Sequence, residues 1–164
     1  MAYATQTDVS VEKSRLELEK ILSKYGATRF AYMSTENEAV IAFQAHGKFV
    51  KFILPLPNRN DKEFRLRKMM RNGILLRTTT RTPEDTMVVW EQACRSRWRA
   101  LCLCVKGKLE AVESGITTYE KEFLAHFVMP GGQTFGDYAI PKIEEATKSG
   151  RMPQLELMDH STAH

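Results

Sequence analysis

A chain of 164 residues, 43% apolar and 27% charged, has room for one hydrophobic core and too little charge and too much apolar content for a disordered segment. Its net charge of +4 says little when averaged over a surface, so any argument from charge rests on where the charges lie. No apolar run approaches the roughly 20 residues of a membrane span, and Met1 to Ser10 is polar where a signal peptide is apolar; a cytoplasmic protein of the host cell without membrane contact is expected.

Residues 1–9 read as a loose arm. Ser10 stands where an N-cap is wanted, and Val11, Ser14, Leu18, Ile21, Leu22 and Tyr25 share one helix face, with Gly26 suited to the position past its end. Three runs rich in β-branched and aromatic residues follow, Arg29 to Thr35, Ala39 to Ala45 and Lys48 to Leu54, separated by Glu36-Asn37-Glu38 and by His46-Gly47. Connections this short predict an antiparallel three-stranded meander. In the third run Val50, Phe52 and Leu54 alternate with Lys51 and Ile53, so one face is core and the other partly wet, and Pro55 and Pro57 end the sheet.

Residues 58–82 change character. Arg59, Lys62, Arg65, Arg67, Lys68, Arg71, Arg77 and Arg81 stand against only Asp61 and Glu63, a net of +6. No clean period runs through the segment. Phe64 to Arg71 suits a short helix, and Gly73 with the Thr78-Thr79-Thr80 run suits a mobile connection around it.

The longest element comes next. Thr82 is a cap, Pro83 a first helical residue, and Glu84 and Asp85 suit the positive end of the helix dipole. Met87, Trp90, Cys94, Trp98, Leu101, Val105, Leu109 and Val112 recur every three or four residues to about position 113 and fall within a sector of about 100°, a core-facing stripe. Gly115 ends the run. Thr117 and Glu120 have capping-box spacing for a third helix through Phe123, Leu124 and Phe127. Pro130-Gly131-Gly132 is a turn, and Thr134 opens a last helix that restarts at Pro141 and stops at Gly150, before a frayed tail over 152–164. The predicted fold is therefore α+β in a single domain, 1–164: an N-terminal helix, an antiparallel sheet over 29–54 covered on one face by helices 10–25 and 84–113, and C-terminal helices.

Catalytic and metal signatures are missing. Cys94, Cys102 and Cys104 crowd one helix without C-x₂-C spacing and read as reduced, buried or half-buried packing thiols. His126 shares a helix face with Glu122, His46 sits at a hairpin tip, and His160 and His164 lie in the tail. Gly131-Gly132 lacks the lysine and spacing of a phosphate loop, and Glu144-Glu145 suit a solvated helix face. Neither enzyme activity, metal nor cofactor is expected.

What is present is positive charge in two blocks. Arg65, Arg67, Lys68, Arg71 and Arg77 belong to the first, and Arg95, Arg99 and Lys106, within about 40° on the long helix, to the second. Because the segment runs straight into the helix, the blocks are expected to merge into one surface. Arginine outnumbers lysine in both, and its planar fork suits phosphate. With Phe64 and Phe49 as stacking platforms, the pattern predicts nonspecific binding of nucleic acid, single-stranded above all. Two other readings use the same residues: a basic surface that docks on a host protein, and side chains that merely flank the core stripe, part-neutralised by Glu91, Glu110 and Glu113. A 30-residue helix that overruns a three-stranded sheet also predicts a homo-oligomer in which a second chain covers the excess.

The helix segment from Trp90-Glu91-Gln92-Ala93-Cys94-Arg95 through Ser96-Arg97-Trp98-Arg99-Ala100-Leu101 to Lys108-Leu109-Glu110-Ala111-Val112-Glu113, with Phe52 to Pro57, Glu122-Phe123-Leu124 and Met152-Pro153, resembles a group of small proteins encoded by tailed phages and prophages. The resemblance covers most of the chain. It implies a phage origin and an intracellular life, and it brings no activity or binding residue with it. The order helix, three-stranded meander, long helix is also similar to that of phage single-strand annealing proteins, whose core grips single-stranded DNA in a basic groove within a ring. That likeness is one of element order alone.

Overall fold

Ser10 caps the first helix as its position suggests: its hydroxyl accepts from the Lys13 amide at 3.2 Å, and α1 (Val11–Lys24) closes through Tyr25 onto Gly26, at φ +87°. The computed structural model describes Ala4 and residues 7–151; the expected tail 152–164 and residues 1–3, 5 and 6 of the expected arm lie outside the described residues. What is described of that arm is held against the body. Ala4 is buried, and the Thr7 carbonyl accepts from Gln92 Nε2 at 2.9 Å.

Strands β1 (Arg29–Ser34), β2 (Glu38–Ala45) and β3 (Lys48–Pro55) form the predicted antiparallel meander in the order β1-β2-β3. The β2–β3 turn places both His46 (φ +50°) and Gly47 (φ +72°) in the left-handed region, the geometry whose twist matches the flanking strands. Burial alternates strictly along β2, with Ala39, Ile41, Phe43 and Ala45 inward. Phe43 pairs with Val50, so Val50 and Phe52 share its face. Against that face lie Leu18 and Leu22 of α1 and Trp98, Leu101, Cys102, Val105 and Leu109 of α3 (Pro83–Glu113). Tyr119 and Phe123 of α4 (Tyr119–Phe123) complete one continuous core. The Phe123 ring meets Phe43 edge-on at 6.4 Å and Phe52 edge-on at 6.3 Å, an arrangement favoured by the aromatic quadrupole.

Helix α3 runs unbroken over 31 residues from its Thr82 cap to Ser114, with Gly115 at φ +74° just beyond. Its contribution to the core cluster begins at Trp98, and α2 (Lys62–Arg65) packs on the helix, with Phe64 buried. Trp90, expected on the sheet, is half-buried at the sheet's exit and donates from Nε1 to the Pro57 carbonyl at 2.7 Å. The third helix is capped one residue later than the capping-box spacing suggests: the Thr118 hydroxyl accepts from the Lys121 amide, and the chain tightens into a 3₁₀ turn at Leu124–His126. Thr134 and Asp137 form a full capping box, and α5 (Phe135–Ser149) continues through Pro141 without restarting. A proline removes one donor from the ladder, and two turns follow Pro141 before Gly150, at φ +68°, ends the helix.

The expected irregular connection is a second sheet. Only Lys62–Arg65 is helical; Leu66–Arg71 is strand β4, paired antiparallel with β5 (Ile74–Thr80). The sequence Leu-Arg-Lys-Met-Met-Arg is written in good helix formers. Asn72-Gly73 overrides them: both residues take positive φ, +51° and +78°, which folds the chain back in two residues and sets β4 against the β-favouring run Ile74–Thr80.

Candidate nucleic-acid interface

The β4–β5 hairpin has a root, a shaft and a tip. At the root, the single turn of α2 leaves carbonyls without helical partners. Arg81 takes them up: its Nη1 donates to the carbonyls of Glu63 (2.9 Å), Phe64 (3.0 Å) and Leu66 (2.6 Å), and its own amide donates to the Arg65 carbonyl at 2.8 Å. The guanidinium therefore clamps the two ends of the hairpin to each other. Of the expected basic cluster, Arg81 is the member that serves structure, a role its sequence position does not announce. Beside it a cleft of about 490 Å³ opens between the root and the start of α3, with Arg59 and Arg65 on its wall.

Along the shaft, pairing sorts the side chains. Arg67, Met69 and Arg71 alternate onto one face of β4; Arg77 pairs with Met69 and Ile74 with Arg71, so they share that face. Lys68 lies on the other, with Met70 and Leu75. Every residue from Arg67 to Thr78 is exposed. Residues 66–82 hold five Lys or Arg and neither Asp nor Glu, so nothing on the shaft offsets its charge. At the tip, Met70, Ile74 and Leu75 are 56%, 66% and 52% exposed.

The helical block has a different fate. Arg99 pairs with Glu17 of α1, tying the two helices together, and its side chain is only 22% exposed. Arg95 donates to Gln92 Oε1 through Nε (3.1 Å) and Nη2 (2.6 Å) and lies 4.0 Å from Glu91. Lys106 is exposed, and Lys108 pairs with Glu122 at 3.2 Å. The structure thus brings Arg67, Lys68, Arg71 and Arg77 together on one projecting element, with Arg65 at its root in α2, while Arg95 and Arg99 face acceptors within the body. Of the helical block only Lys106 is exposed without an ion pair among the described residues. The expected pair of stacking platforms does not form: Phe64 is buried at the α2–α3 contact, and Phe49 stays exposed on the outer sheet face.

Burial pushes the thiols of Cys94 and Cys102 up, with Glu91 and Glu17 respectively adding to the effect, which holds both as thiols rather than nucleophilic thiolates. Cys104 departs from expectation and is exposed. His126 does not pair with Glu122, which is taken by Lys108. Its ring lies 4.0 Å from that of Phe52, and burial, then Lys108, holds its pKa below the usual histidine value. Among the described residues, no group of three or more His, Cys, Asp or Glu is placed to hold a metal ion, and no helix is long and apolar enough to cross a membrane. No protein-family model, curated protein or solved structure matches the chain.

Proposed function

We propose that this protein binds nucleic acid without regard to base sequence, through the β4–β5 hairpin. The observation that carries the reading is the projecting shaft with Arg67, Arg71 and Arg77 on one face and no acidic residue in 66–82. Cations held clear of the body's own carboxylates are the part of a protein surface that neutralises phosphates and releases their counterions. The preference for single strands expected from two aromatic platforms keeps only Phe49, so the proposal rests on phosphates, which single and double strands both carry. With the resemblance to small tailed-phage proteins, the reading is of an accessory protein of phage recombination or replication.

Fluorescence anisotropy with labelled oligonucleotides at low salt tests it. If three phosphates are neutralised, log K falls with log salt at a slope of about −2 on single strands and about −3 on duplex. Arg67→Glu with Arg71→Glu weakens binding to all sequences alike, because phosphate contacts carry no base information. No binding at about 10⁻⁴ M protein, the weak end of nonspecific affinity, ends the proposal. The rival reading, docking on an acidic surface of a host protein, draws on the apolar side chains exposed beside the arginines. A stoichiometric protein partner that survives nuclease treatment of host lysate, together with no oligonucleotide binding, favours it.

A further inference from the structure

Within that reading, and resting on it, we infer that the nucleic acid is double-stranded DNA, and that the hairpin enters a groove with its tip as an apolar wedge that kinks the duplex. Three features of the arm point there.

The first is what the arm lacks. Residues 66–82 contain no aromatic side chain and no histidine. Proteins that hold single strands do so on aromatic faces against which unpaired bases stack; this arm offers none. It offers instead Met70, Ile74 and Leu75 just behind its Asn72-Gly73 turn, each more than half exposed. Met, Ile and Leu are the side chains that proteins insert between stacked base pairs from the groove.

The second is shape. A two-stranded antiparallel ribbon is one of the elements that DNA grooves admit. The Asn72-Gly73 turn, with both residues at positive φ, brings the chain back in the fewest residues a hairpin uses. The end of the arm is therefore its narrowest part, and apolar residues stand directly behind the turn on both faces, Ile74 on one and Met70 with Leu75 on the other. Arg67 and Arg71, on one face of the same strand, lie about 13 Å apart at about 3.3 Å per residue, the span of about four base steps. The arginine face thus runs along a phosphate backbone while the tip reaches the bases.

The third is charge. A second copy of this chain is a poor occupant for the tip, since the arm carries five cations without an anion and the whole chain is itself net positive. A polyanion meets both the arginines and, in its base stack, the apolar tip.

The test uses the full chain and a duplex of about 30 base pairs with a donor and an acceptor fluorophore at its ends, beside a single strand of the same length. The expected result is duplex binding at least as tight as single-strand binding, with a rise in end-to-end energy transfer that is larger when a TA step, the most easily unstacked, lies at the centre. Ile74→Ser with Leu75→Ser abolishes the rise while weakening duplex binding by no more than about tenfold, and Arg67→Glu with Arg71→Glu weakens binding by more than that and lowers the rise with it. A duplex that binds and stays straight overturns the wedge and leaves nucleic-acid binding intact. Single-strand binding more than tenfold tighter than duplex binding overturns the choice of duplex. Absence of binding to either removes the proposed function, and the wedge with it. Sedimentation of the protein alone closes the remaining route: self-association that the Ile74→Ser, Leu75→Ser pair disrupts assigns the tip to a second copy and overturns the inference.

Discussion

The molecule contains two hairpins built on the same turn and put to opposite uses. His46-Gly47 joins β2 to β3, Asn72-Gly73 joins β4 to β5, and all four residues lie at positive φ between 50° and 78°. In the first, strict alternation of apolar and polar residues gives the sheet an inner face, and α1, α3 and α4 close over it. In the second, three arginines share one face with Met69 and Ile74, Lys68 lies with Met70 and Leu75 on the other, and every residue from Arg67 to Thr78 is exposed. A two-residue turn therefore makes a hairpin, and the pattern on its strands decides whether that hairpin becomes core or limb. An isolated two-stranded ribbon is marginal in water; this one is held at its root by Arg81 and α2.

The sharpest way to break the contrast is in the core. Phe123 is fully buried between Phe43 and Phe52, so Phe123→Ala costs about 3–5 kcal/mol, read as a lowered denaturant midpoint. A loss below about 1 kcal/mol shows that α4 is not part of the cooperative unit.

A matched pair of substitutions sharpens it. Nothing stands within 4 Å of a Cβ built at Gly47 or at Gly73, so a substitution at either meets the penalty of the left-handed region, at least about 1–2 kcal/mol and more for β-branched valine. Gly47→Val lowers the melting temperature of the whole protein. Gly73→Val leaves it unchanged and speeds amide exchange along β4 and β5 alone. Equal effects on global melting make the two hairpins one folding unit and refute the comparison.

The smallest effect is a matter of pH. His126 sits against Phe52, with Lys108 and Glu122 nearby, and its pKa in the fold is held below 6.5. The unfolded chain then takes up the proton first, so this contribution is complete above about pH 6.5 and lost as pH falls from there toward the folded pKa. The melting temperature declines between about pH 7 and pH 5, and His126→Gln makes that decline shallower. A variant that declines as steeply as the parent clears His126 of the effect.

The body was legible because its signals agree with one another. Ser10 and Gly26 bracket α1, the His46-Gly47 turn sits between alternating strands, and eight stripe residues carry α3 to within a residue of its end. In the limb the signals conflict. Leu66 to Arg71 has the composition of a helix, and the Asn72-Gly73 pair that decides the matter stands among charges that draw the eye to function first. The charged residues of the candidate site were visible as a list; their partition was not. That Arg99 reaches Glu17 across 82 positions of chain, and that Arg81 turns back onto α2, follows from tertiary packing that no local pattern encodes.

The clamp at Arg81 also sets how the protein meets mechanical load. Strands of six and seven residues make the limb a boom of about 20 Å, stepped at its heel on one guanidinium that grips three carbonyls. A sideways push at Ile74 is levered at the heel, where a movement of an ångström parts those bonds, while a pull along the boom is shared with the whole ladder of β4 and β5. Anything that tugs on the tip is thus resisted stiffly from one direction and yielded to from the others, and the strain passes through α2 into the first turns of α3 before it reaches the core.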